Sequence, residues 1–271
     1  MIECMISIAR NDNADDGSVN DLVDRFGTGP LTVLAVWAHP DDESFLAGGL
    51  LAEVARRGGR VVTVTATAGE HGIGESVDRS PATVAARRIA ELDAALEVLG
   101  GESAIHLGYE DGGCDQVTDH LAIHLLGRFV DRIEPDVIVT FGPDGVTGHP
   151  DHQAVGHWVR RAVAERGDRV PLVTTAAANA WHDEGIDRLH SIEAFWPGFP
   201  ERGGDGIVVQ LDAELVDRKL AAIACHASQM GPVHEALGPD HLRQVAAVEC
   251  YVAANHAASR HLSPELELIA A

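Results

Sequence analysis

The chain has 271 residues, 45% of them hydrophobic, which suits one large domain with a sizeable buried core. Its 42 acids against 20 bases give a formal charge of −22, a balance that disfavours nucleic-acid and membrane partners and leaves small molecules as the expected ones. Four cysteines without metal-type spacing, no signal-like start and no apolar run of the ~20 residues that a bilayer crossing needs point to a reducing cytoplasm.

Residues 1–29 are polar and acidic and end in Gly27-Thr28-Gly29-Pro30, which reads as a leader with one short helix; residues 30–271 read as a single domain. The apolar run Leu31 to Trp37 predicts a buried strand, and His39-Pro40-Asp41-Asp42-Glu43 follows directly as a turn. Ser44 to Arg57 is a helix closed by Gly58-Gly59, and Arg60 to Thr67 is the second strand. Ser80-Pro81 supplies an N-cap and a first-turn proline for a helix to Leu99, which Gly100-Gly101 ends. Ala104 to Leu107, Asp136 to Phe141 and Leu172 to Ala176 are the next strands, with helices at Thr118 to Ile133 and Asp151 to Arg166. Beyond residue 180 the pattern loosens around Trp181, Trp196, Pro197 and Pro200. It recovers as a strand at Ile207 to Leu211 and a helix from Ala213 to Gln229, a region expected to complete a pocket.

Strands alternating with helices, each strand nearly continuous in apolar residues, predict an α/β fold: a Rossmann-like three-layer sandwich with a mostly parallel central sheet. In the usual order 3-2-1-4-5 the first and fourth strands are neighbours where the order reverses, and ligands bind there beyond the strand ends. The first strand leads into His39 and the fourth into His149-Pro150-Asp151-His152, so the two polar clusters are expected to meet. A dinucleotide site would carry a glycine-rich turn after the first strand. Three carboxylates stand there instead, and they repel phosphate and attract a divalent cation.

The candidate metal ligands are His39, Asp42 and His152, two imidazoles and one carboxylate with a position left open, which favours Zn²⁺, or Fe²⁺ when it is available. Glu43 has two readings, a ligand or a carboxylate complementing the N-terminus of a helix. Asp41 is placed to accept a proton from an attacking water. His149 is placed to stabilise an oxyanion or protonate a leaving amine, and Asp151 to orient His149. Together these residues predict metal-assisted hydrolysis of an amide or ester.

The motifs Ala38 to Glu43 (AHPDDE) and His149 to His152 (HPDH) resemble the PIG-L or LmbE-like zinc-dependent N-acetylglucosamine deacetylases. The similarity continues through Thr67-Ala68-Gly69-Glu70, Arg88 with Glu91, the segment at 108–112, and Lys219 with His226-Ala227-Ser228-Gln229. It is greatest to the branch containing the mycothiol-pathway deacetylase and the related conjugate amidase. The resemblance implies one Zn²⁺ on His39, Asp42 and His152, Asp41 as general base, His149 as electrophilic or acid partner, and Arg88 and Asp111 on the hydroxyls of a glucosamine ring. The expected substrate is then a small N-acylated amino sugar. His226 is read either as a lining of that pocket or as packing. Thr147 departs from the branch, which can carry a tyrosine there, so oxyanion assistance is expected to be weaker or to come from elsewhere. Two rival readings are a Mg²⁺-dependent phosphatase with Asp41 as nucleophile and a catalytically silent metal-binding protein on the same fold. A homo-oligomer is left open.

Overall fold

The computed structural model describes residues 17–72, 80–175, 206–255 and 257–258. The elements in chain order are β1 (Gly17–Ser18), α1 (Val19–Phe26), β2 (Thr32–Trp37), α2 (Asp42–Arg56), β3 (Arg60–Thr67), α3 (Pro81–Leu99) and β4 (Ile105–Tyr109). A 3-10 turn at Cys114–Gln116 leads to α4 (Asp119–Ile133), β5 (Val137–Phe141), α5 (Pro150–Ala164), β6 (Leu172–Thr175) and β7 (Ile207–Gln210). The chain continues as α6 (Ala213–Cys225), α7 (Ala227–Ala246) and β8 (Val248–Ala253). Trp181, Trp196, Pro197 and Pro200 lie outside the described residues.

The eight strands form one sheet in the order β1-β7-β8-β6-β5-β2-β3-β4. The five strands from β2 to β6 take the predicted order, each parallel to its neighbour. Among the described strands only β8 runs antiparallel to those beside it. The alternation of apolar strand and amphipathic helix covers the sheet on both faces: α1, α2, α3 and α6 pack together on one side, α4 and α5 on the other. The central strand β5 is buried throughout, and β2 and β3 are buried beyond their first residues. No helix among the described residues is long and apolar enough to cross a membrane.

One expected helix is present, and two differences from the sequence reading have physical causes. The helix expected within the first 29 residues is α1, capped by Ser18. Val19, Leu22 and Val23 bury its inner face against the body, and Gly17–Ser18 adds a strand to the sheet. The helix expected from Ala213 to Gln229 is instead two, breaking at His226, whose backbone (φ −79°, ψ 44°) leaves the helical region. The strand β8 carries Glu249 in mid-run, which obscures its apolar pattern.

Glu249 joins three parts of the fold. Its carboxylate accepts from the amides of Gly49 (2.7 Å) and Leu50 (3.0 Å) in α2, from Tyr251 Oη (2.7 Å), and from Lys219 Nζ of α6 (2.8 Å). The glycines let α2 approach closely here: a Cβ on Gly48 would lie 3.0 Å from the Lys219 side chain, and one on Gly49 would lie 2.4 Å from the Leu211 methyls, which would have to shift. Lys219 and Glu249 are 1% and 3% exposed. Removing one member of such a pair leaves a buried charge unbalanced, so Lys219→Met is expected to lower unfolding stability by about 3–5 kcal/mol. Urea titration checks this, and the double variant Lys219→Met/Glu249→Gln is expected to recover part of the loss.

Candidate metal centre

Parallel pairing of β2 with β5 brings their carboxyl ends side by side, so the turns that begin at His39 and at Gly142 open on the same edge of the sheet. Pro150 starts α5, His149 caps it by accepting the Asp151 amide on Nδ1 (3.1 Å), and His152 falls in the first turn. His152 also stacks on Phe141, the last residue of β5, with centroids 4.1 Å apart.

The partners of the two rings fix where their lone pairs point. His152 Nδ1 faces the Gly145 carbonyl oxygen at 2.9 Å; a carbonyl only accepts, so Nδ1 carries the proton and Nε2 the lone pair. His39 Nε2 faces Asp111 Oδ1 at 3.1 Å and Asp151 Oδ2 at 3.2 Å, so that nitrogen carries the proton and Nδ1 the lone pair. His39 Nδ1 and His152 Nε2 are 3.1 Å apart. Asp42 brings Oδ1 to 3.3 Å from His152 Nε2 and Oδ2 to 3.7 Å from His39 Nδ1. Two lone pairs and a carboxylate converging on one point repel each other unless positive charge lies among them, either a proton on His39 Nδ1 shared with His152 Nε2 or a metal ion in its place. A tetrahedral zinc with bonds of ~2.0–2.1 Å sets its ligand atoms roughly 3.3–3.4 Å apart, and the observed spacings straddle that value.

Two other groups of donors lie within 4.8 Å of one another: His39, His149 and His152, and His39, Asp111 and Asp151. The second would need His39 Nε2, the nitrogen that both carboxylates hold, and the Asp151 oxygens already accept from the amides of Gly112 (2.8 Å) and Cys114 (3.0 Å). His39 and His152 are common to the remaining group, and the Asp42 carboxylate lies 3.3 Å from His152 Nε2 beside them.

The electrostatics agree with a site that stabilises positive charge beside neutral rings. Burial pushes His39 down, but its bonds to Asp111 and Asp151 outweigh this and lift it to about 10. Burial and then the His39 charge push His152 down to about 3 and His149 to about 4. Burial raises Asp42 to about 6 against the pull of His39, and Asp41 to about 6 against the pull of Arg88.

Asp41 occupies the N-cap position of α2, yet its side chain makes no capping bond, and its φ of 120° is strained for a residue with a side chain. Its carboxylate is instead held by Arg88 Nη2 at 3.0 Å. Arg88 also donates to the carbonyls of Gly69 (2.8 Å) and Pro40 (2.6 Å) and is 4% exposed, so it clamps the turn from Pro40 to Asp42. Asp111, expected on a sugar, accepts the His71 amide (2.9 Å) on the oxygen that does not face His39.

Two expectations are corrected. The Asp151 carboxylate does not orient His149: its main-chain N–H does, while the carboxylate supports His39. His226 does not line a pocket: it is fully buried, with Nε2 2.9 Å from Glu43 Oε1. Glu43 belongs to neither donor group, and its other oxygen accepts the Asp41 amide at 3.0 Å. Nothing local in the sequence signals the Glu43–His226 pair, whose members lie 183 positions apart.

The sequence profile of the family described as "PIG-L: GlcNAc-PI de-N-acetylase" matches residues 34–163, the span holding both clusters. The 1D-myo-inositol 2-acetamido-2-deoxy-alpha-D-glucopyranoside deacetylase of Corynebacterium glutamicum (strain R) is 33% identical over 228 residues, covering 73% of this chain and 74% of that one. Among solved structures, the N,N'-diacetylchitobiose deacetylase from Pyrococcus horikoshii superposes with a TM-score of 0.61 at 21% identity, covering 91% of each chain. The 4-carboxy-2-hydroxymuconate hydratase GalB from Pseudomonas putida KT2440 superposes at 0.51 and 20% identity, covering 80% of this chain and 82% of that one. The sheet alone therefore does not decide the chemistry, and the residues at its edge must.

Proposed function

Because the chain belongs to the PIG-L (GlcNAc-PI de-N-acetylase) family, we propose that it is a zinc-dependent hydrolase that removes the N-acetyl group from a glucosamine-containing small molecule. The observation that carries this reading is the convergence of the His39 and His152 lone pairs on the Asp42 carboxylate, next to a strained Asp41 that caps nothing.

His39, Asp42 and His152 would hold the ion. When bound, it polarises the amide carbonyl and lowers the pKa of water. Asp41 accepts a proton from the attacking water. Raised to about 6 by burial, it is ionised at neutral pH and still basic enough to serve, while Arg88 fixes its direction. His149 is neutral, and because Nδ1 accepts from the Asp151 amide the ring proton sits on Nε2. That fits a donor to the developing oxyanion rather than a cationic acid. Asp111 and Asp151 keep His39 in the tautomer that exposes Nδ1.

Among the described residues, neither Lys219 nor Arg88 is free to serve the phosphatase reading as a phosphoryl clamp. Lys219, the sole lysine, is buried against Glu249, and Arg88 is engaged with Asp41 and two carbonyls. The silent-protein reading leaves the strain at Asp41 without a purpose.

Incubation of zinc-loaded protein with a panel of N-acetylglucosaminides tests the proposal. The inositol glycoside that the Corynebacterium relative is named for comes first, and the freed amine and acetate are quantified. Amine release that stops on chelation and returns with Zn²⁺ or Fe²⁺ is expected. Phosphate release from sugar phosphates with Mg²⁺ alone, and no amine release, would move the enzyme to the rival class.

A further inference from the structure

We propose that the buried Glu43–His226 pair is a positioning device for Asp41, through which the two C-terminal helices set the geometry of the proton acceptor. This rests on the role given to Asp41 above. At an ordinary helix start the N-cap side chain accepts from amides of the first turn. In α2 the direction is reversed: Glu43 Oε2 accepts the N–H of Asp41 itself (3.0 Å), and the Asp41 carboxylate is released towards Arg88 (3.0 Å). A backbone with φ 120° and ψ −29° is strained for a non-glycine residue and persists only where its surroundings over-determine it. The Glu43 and Arg88 contacts are two of the determinants at Asp41, beside the Ser44 and Phe45 amides that donate to its carbonyl.

Glu43 is itself fixed from the far end of the chain. Its Oε1 accepts from Ser44 Oγ (2.5 Å) and lies 2.9 Å from His226 Nε2, with Ser44 Oγ 3.3 Å from that nitrogen. Glu43, Ser44 and His226 are all 0% exposed. His226 Nδ1 is buried with no hydrogen-bond partner among the described residues. Leaving such a group unpaired in the interior destabilises the fold, which sets a cost against keeping an imidazole there. An imidazole there does, however, supply the one N–H that holds the Glu43 carboxylate. His226 ends α6 and begins α7, both beyond the family-matched span of residues 34–163, so the pair ties that half of the chain to the catalytic turn.

The test combines a structural and a kinetic readout on zinc-loaded protein. In a crystal structure of Glu43→Ala, Asp41 is expected to leave the positive-φ region and lose Arg88, with the metal still bound. For His226→Ala, kcat on the N-acetylglucosaminide that the panel identifies is expected to fall by about 10- to 100-fold with KM unchanged. In an Asp41→Asn background the same substitution is expected to change the residual rate little. Glu43→Gln, which keeps an acceptor for the Asp41 amide and is the milder change if the alanine variant fails to fold, is expected to restore most of the rate. An Asp41 φ that stays near 120° in Glu43→Ala would overturn the proposal, as would rate losses that multiply in the double variant. The crystal structure reads Asp41 without any substrate. If no N-acetylglucosaminide is turned over, the deacetylase reading fails while the positioning is still decided.

Discussion

Asp41→Asn is expected to leave the metal in place and slow amide hydrolysis by ~10²-fold or more. The substitution is nearly isosteric, and the Asn Oδ1 can still accept from Arg88 Nη2, so the clamp that now spans 3.0 Å survives. Lost is the ability to take a proton, because an amide oxygen is far less basic than a carboxylate that burial has raised to about 6. None of the distances that define the cation cluster involves Asp41, so metal content should not change. Steady-state rates alongside elemental analysis check both halves. A variant that keeps full activity would remove Asp41 from the chemistry, and one that loses its metal would make it a ligand instead.

His152→Ala is expected to abolish metal retention altogether. It removes one of three converging donors, the one whose Nε2 lies between Asp42 and His39. His39→Ala should have the same effect but also strands Asp111 and Asp151 without the imidazole between them, so His152 is the cleaner site. Binding of an ion to the folded state alone stabilises it by about 2.7 kcal/mol at a free concentration 100 times Kd. Wild-type protein should therefore melt at a higher temperature in added Zn²⁺, and His152→Ala should not respond. Stoichiometric metal in both histidine variants after desalting would overturn the ligand set.

The sequence made the centre of the fold legible because every local signal agreed there. Unbroken apolar runs at residues 31–37 and 137–141 are buried parallel strands, and the acids and histidines directly after them can only lie at the strand ends. Neighbouring strands one and four then bring His39 to His152 across 113 positions. What escaped the sequence depends on long-range pairing. Glu249 interrupts an apolar strand and is tolerable only because Lys219, Tyr251 and two α2 amides meet it. Gly238 leaves the helical region (φ 66°, ψ 170°), so the span Ala227–Ala246 breaks there and Pro239 opens its second part. His226 and Glu43 each have a plausible local role, and the side chains alone do not show that they face each other. Asp151 was legible as a member of the cluster, but which of its groups serves which histidine depends on α5 starting at Pro150 and on the loop carrying Gly112 and Cys114.

One divalent ion held jointly by the exits of β2 and β5 underlies the hydrolase reading. Diffraction recorded on both sides of the zinc absorption edge, from crystals of protein loaded with Zn²⁺, locates that ion directly. The expected result is a single strong anomalous peak bonded to His39 Nδ1, an Asp42 oxygen and His152 Nε2. A peak at His39 Nε2 between Asp111 and Asp151, or ordered loops with no peak between them, would contradict it.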